Sequence, residues 1–183
     1  MLKLMLSRQL DRFQRTWSYD ASYLRRLLAV SSVSLLKFSL VSSMAPRDAA
    51  PPAALAAAEI VATLSEDCGP CVQLVVDMAA AAGVAPEVLR AILSGDQDAM
   101  GQDAGIAWRY ARATLARDLT RAERLRDEIL SRWGERGLAA IALALTTARL
   151  YPTLKYALGH GGTCARVVVD GQSMVPAQNE GVP

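Results

Sequence analysis

Residues 53 to 65 read AALAAAEIVATLS, a run of strong helix formers in which Glu59 is the only charge. Alanine is the residue least costly to hold in a helix, and its single methyl lets a neighbouring backbone come close. A second small-residue run, Ala139 to Ala148, lies late in the chain. Segments of this kind favour helix packed on helix, because sheets draw on β-branched and aromatic side chains. Aromatics make up only 5% of the 183 residues although 52% are hydrophobic, so alanine and leucine supply most of the apolar content. The expected fold class is therefore all-α, a helical bundle with the 139–148 run at its centre.

The rest of the chain divides around these runs. Residues 1–45 read as an amphipathic helical arm, two helices broken near Ser18 to Asp20. MAPRDAAPP, Met44 to Pro52, carries three prolines and is expected to be a non-helical linker, since proline fixes φ and disfavours helix at the residue before it. A helical domain follows over 53–160. In it, a break at Glu66-Asp67 leads into CGPCVQLVVDMAAAAG, ended by Gly83 in the left-handed position after a helix. Pro86 opens a short helix at a first-turn position. Asp103 is placed to cap IAWRYARATLARDL, and Thr120 with Glu123 forms a capping box for TRAERLRDEILSRWG, a helix that ends at Gly134. Arg136 to Gly159 reads as a largely buried helix broken or kinked at Pro152. The C-terminal segment, 161–183, contains the only β-like run, ARVVVDG, and is expected to be mobile from Gln172 onward.

Charge and cysteine content narrow the function classes. Twenty basic and eighteen acidic residues give a net charge of +2; the basic residues are dispersed and no nucleic-acid motif is present, so no nucleic-acid partner is expected. Three cysteines in a chain of this length do not make a secreted disulfide scaffold, which points to a reducing, cytoplasmic setting. The N-terminus lacks the three-part shape of a signal peptide. Leu27 to Met44 is apolar but interrupted by serines and Lys37, so it reads as amphipathic helix, and no membrane span is expected.

The chemistry centres on SEDCGPCVQLVVD, Ser65 to Asp77. One reading is metal: Cys68, Cys71, His160 and Cys164 form a Cys3His inventory, but the C-terminal segment would have to fold back onto the pair. A second reading is redox. A C-x-x-C pair entering a helix can close a disulfide across the first turn, and free N–H groups at the helix start stabilise a thiolate. Glu66 and Asp67 act against this by placing negative charge beside Cys68. A third reading is two buried, inert thiols. No metal or other cofactor is expected. Trp17, Trp108, Trp133, Tyr19 and Tyr23 are expected to be packing residues, and His160 to sit past a helix end.

CGPC has the thioredoxin spacing, but the alanine-rich helix before it is not the β-strand that thioredoxin requires. Ala58 to Asp96 instead resembles the alkylhydroperoxidase AhpD-like group of the carboxymuconolactone decarboxylase superfamily. It has a helix with an inward glutamate, C-x-x-C at the start of the next helix, then a Gly-Val turn into a short helix. Asp118 to Gly159 resembles that group's closing helix pair. The resemblance implies an AhpD-like all-α bundle, a homo-oligomer (a trimer or higher, or a dimer), and a cysteine pair that reduces peroxides or partner disulfides and is served by a thiol or disulfide reducing partner. It implies Cys71 as attacking thiol, Cys68 as resolving thiol, and Glu59 as the glutamate of the proton relay. The departure is Val75, where the family's motif places a relay histidine. Without that group peroxide reduction loses its best-matched proton carrier, whereas dithiol exchange remains open. The alternative is a non-catalytic helical oligomer on the same scaffold, with the arm used for subunit packing.

Overall fold

The computed structural model describes residues 1–161 and 166–177. Eight α-helices and one two-stranded sheet are present among them. The arm folds as α1 (Leu2–Trp17), α2 (Ser22–Val30) and α3 (Ser32–Ser39), followed by a short 3-10 turn over Leu40–Ser43. The bundle follows as α4 (Pro52–Leu64), α5 (Gly69–Ala81), α6 (Pro86–Ser94), α7 (Gly101–Leu115) and α8 (Leu119–Ala157). β1 (Val167–Val169) and β2 (Gln172–Met174) then form an antiparallel hairpin.

Sequence explains the boundaries. Pro52 and Pro86 occupy the first helical positions of α4 and α6, where a missing N–H costs little. Gly83 and Gly95 end α5 and α6 with φ of 88° and 74°, backbone that a side chain strains. The 44–51 linker stays non-helical, as its prolines require.

α4 is the hub of the molecule. It packs on α5, α6, α7 and α8, and every residue from Ala54 to Thr63 is buried. Its alanines let four helices approach one axis, which larger side chains would prevent. The 139–148 run, expected at the centre, instead flanks this hub: Ala140, Ile141, Ala144 and Leu145 face inward while Ala139 and Thr146 are exposed. The arm gathers a separate apolar cluster around Leu6, Leu10, Tyr23 and Leu28, and seats it on Leu74 of α5 and on Leu154 and Leu158 at the end of α8.

Several boundaries differ from the sequence reading. The arm breaks near Ser18 as expected but also at Ser31, whose hydroxyl accepts from the Ser34 N–H and so starts α3 as a new helix. α7 begins at Gly101, which puts Asp103 in its first turn and not at its cap. Asp118, not Thr120, caps α8 by accepting from the Arg121 N–H. The break between the helix ending at Gly134 and the one from Arg136 falls at Gly134 as expected (φ 65°, ψ −171°), but the kink expected at Pro152 does not interrupt the helix. Gly134 has no Cβ to oppose that backbone, so the chain turns there. By length and composition α8 is the one helix among the described residues apolar enough to cross a membrane; here it packs on α4 and α7.

Gln172–Met174, expected to be mobile, pairs with β1 through a turn in which Asp170 and Gly171 both take positive φ. The hairpin is held to α5 by Gln73, whose side chain donates to the Val168 carbonyl (2.9 Å) and accepts from its N–H (2.7 Å). The Ala177 N–H then donates to the Leu93 carbonyl (2.9 Å).

Candidate functional site

The cysteine pair sits where α4 hands the chain to α5. Asp67 takes a left-handed conformation (φ 50°) that ends the turn, and α8 fixes it from outside. Arg149 pairs with Glu66 at 2.5 Å, Thr153 donates to the same carboxylate, and the Tyr156 hydroxyl donates to the Asp67 carbonyl at 2.6 Å. The negative charge at Glu66 is thus answered by a guanidinium and not left to act on Cys68. Cys68 is the N-cap of α5, and its carbonyl accepts from the N–H groups of Cys71 and Val72. The pair is disulfide-bonded with Cα atoms 5.3 Å apart, ordinary spacing for such a bond. Both cysteines are buried, at 0% and 4% exposure, so neither sulfur is offered to bulk water.

Cys71 differs from Cys68 in what lies beside it. It lines a cavity of about 240 Å³ between the arm and the bundle. The arm supplies Leu10, Phe13, Leu35 and Phe38; the bundle supplies Val75, Met78 and Tyr151. Tyr19 reaches in from the break after α1 and places its hydroxyl 3.7 Å from the Cys71 sulfur. Its ring is fixed edge-on between Phe13 and Tyr23, and the Lys155 ammonium lies 5.3 Å from the ring centroid. Burial raises the Tyr19 pKa, opposed in part by a hydrogen bond with Tyr23, so the phenol keeps its proton at neutral pH. A protonated phenol donates to a thiolate and cannot act as its base. Burial also lowers the Lys155 pKa, and nearby Asp20 partly offsets this.

Glu59 lines the same cavity. Arg47, from the proline-bearing linker, clamps it with contacts of 2.7 Å and 3.2 Å. The Arg47 side chain is 57% exposed and that of Glu59 11%, so the pair spans from the surface to the cavity wall. Burial raises the Glu59 pKa, and Arg47 pulls it back only in part.

Of the residues singled out from sequence, Cys71, Glu59 and Val75 share this cavity, with Cys68 joined to Cys71. Gln73 is occupied with Asp77 and the hairpin. His160 sits past α8, its Nδ1 3.0 Å from the Ser22 hydroxyl. Cys164 lies outside the described residues. The four-ligand metal reading does not hold for Cys68 and Cys71 as found, since their sulfurs are bonded to each other; among the described residues no cluster of metal-ligating side chains forms. Sequence reasoning missed Tyr19 as a polar partner, along with Arg47 and Lys155. The Tyr19 ring does pack, as expected, but its hydroxyl meets a sulfur 52 residues away. Only the Tyr19/Tyr23 spacing hinted at a shared aromatic site. Comparison with protein-family models, curated proteins and solved structures finds no match in any of the three.

Proposed function

We propose that this chain is an AhpD-like thiol–disulfide oxidoreductase in which Cys68 and Cys71 cycle between dithiol and disulfide. The observation that carries the reading is the Tyr19 hydroxyl on Cys71, at the wall of a cavity, with a disulfide already spanning the first turn of α5. In the reduced form the Cys71 thiolate, stabilised by the Tyr19 O–H, attacks one sulfur of a substrate disulfide. The substrate S–S bond breaks and its leaving thiolate takes a proton. The Cys68 thiolate then attacks the Cys71 sulfur of the mixed disulfide, which closes Cys68–Cys71 and releases the second thiol. The two protons of the dithiol finish on the two product thiols, and the substrate disulfide gains the two electrons the pair loses. An external dithiol, the reductant class of a cytoplasmic setting, reverses the exchange. Disulfide is preferred to peroxide as substrate because Val75 offers no titrating group.

Thiol counting in buffers of graded dithiol/disulfide ratio, with Cys68→Ser and Cys71→Ser as controls, tests the cycle. Reversible loss of two thiols in the native protein and of none in either variant is expected. A pair that exchanges only after unfolding contradicts it.

A second reading, a homo-oligomer that uses the arm as its contact, is favoured by the exposed Val30, Val33, Leu40 and Met44. Light scattering on Val33→Glu/Leu40→Glu then shows a smaller species than the native chain. An unchanged mass counts against it.

A further inference from the structure

The cavity beside Cys71 is larger than a cysteine pair needs. An apolar cavity of about 150 Å³ stays dry and takes benzene, and this one is about 240 Å³. Room therefore exists for one aromatic ring with a short substituent. Charge at the cavity wall selects among such molecules. Glu59 and Arg47 neutralise each other across the wall, with the carboxylate on the buried side. An anionic ligand would have to displace Glu59 from Arg47 or bring its charge beside that carboxylate; a cationic one would compete with Arg47. The first arrangement leaves the buried Glu59 carboxylate without its partner, and the second makes the ligand give up its own hydration to replace a guanidinium that already holds that carboxylate. An uncharged molecule leaves the pair intact and loses only water. Gln9 and several hydroxyls also line the cavity; Ser39 and Ser42 donate to backbone carbonyls of the arm, and the Tyr19 hydroxyl beside Cys71, with those of Thr63 and Thr147, suits one hydroxyl or carbonyl on the ligand. Thr63 and Thr147 already donate to backbone carbonyls, which leaves their oxygens as acceptors.

We infer that this cavity is a binding site for a small uncharged molecule with one apolar ring and a single hydrogen-bonding group, seated against Cys71 and Tyr19 beneath the arm. The site does not depend on the dithiol cycling, so its test separates from that of the redox reading. The probes are 4-methylbenzyl alcohol and 4-methylbenzoate, matched in size and differing in charge, titrated into the oxidised full-length protein. The readout is the methyl resonance of Met78, which lines the cavity. The alcohol is expected to shift Met78 saturably, and the carboxylate to bind at least roughly ten-fold more weakly, the cost of a poorly matched interior charge. Ala148→Phe should abolish the shift by filling the space; Val75→Phe, from α5, serves if the first variant does not fold. Equal binding of the two probes, no saturable shift, or an unchanged shift in a folded filled variant overturns the inference.

Discussion

The bundle around α4 and the seam between arm and bundle are both apolar, yet they are built from different side chains and do different work. Around α4 the contacts are alanine on alanine with Ile60, Val61 and Ile106 between them, all buried. Small side chains bring backbones close and leave no room at the axis. At the seam Leu10, Phe13, Tyr19 and Phe38 meet Leu74 and Tyr151, and large side chains of mixed shape leave a cavity among them. Tight packing gives the scaffold its rigidity, while imperfect packing gives the sulfur a neighbour and a space. The disulfide stands on the boundary, with Cys68 enclosed by the bundle and Cys71 facing the seam.

Truncation should separate the two regions most strongly. Ile60→Ala removes a fully buried side chain from the hub and is expected to cost about 2–5 kcal/mol. Leu35→Ala, at the cavity wall, should fall at the lower end of that range, because the side chain already borders open space. Urea unfolding of both variants checks the order, and equal costs would break the comparison.

Enlargement should act in the opposite sense. Ala57→Leu forces volume into the fully buried hub and is expected to cost about 1–3 kcal/mol. Ala148→Leu extends into the cavity and should cost less than about 1 kcal/mol or stabilise the fold, read from the same unfolding midpoints.

A smaller effect comes from Glu59. Its folded-state pKa is raised above the ordinary 4.5 by burial, with Arg47 opposing, so the fold holds the proton more tightly than the unfolded chain does. Stability is then greatest below that ordinary value and is lost as pH rises through the raised one. Glu59→Gln should remove this falling limb from a plot of stability against pH. A limb that persists in the variant would assign it to another group.

The legible part of this molecule was what short stretches decide for themselves. The alanine runs, the proline linker, the first-turn prolines and the glycine stops placed α4, α5 and α6 correctly. The pair at Cys68 and Cys71 was also visible, because its chemistry lies in a four-residue spacing. Caps misled where two candidates lay within a turn of each other, as with Asp118 and Thr120, since which side chain meets the free N–H depends on where the preceding turn leaves the backbone. The break at Gly134 was legible as well, since a glycine between Trp133 and Glu135 closes one helical pattern just before the alanine-rich run opens, whereas Pro152 drew attention for a clash that the helix accommodates. Tyr19 could not be read from sequence as a partner of Cys71. Their meeting depends on how the arm folds back onto α5 and α8, and no local pattern encodes that.

The central claim is that Tyr19 tunes the Cys71 sulfur. The most direct measurement is the pH dependence of thiol alkylation at Cys71 in a Cys68→Ser background, with Tyr19 and with Tyr19→Phe. A hydrogen bond to a charged group is worth about 1.5–3 kcal/mol, which corresponds to roughly 1–2 pKa units. The account predicts that Tyr19→Phe raises the alkylation pKa by about that amount while Tyr23→Phe changes it less. Superimposable profiles for the tyrosine and phenylalanine forms would contradict it.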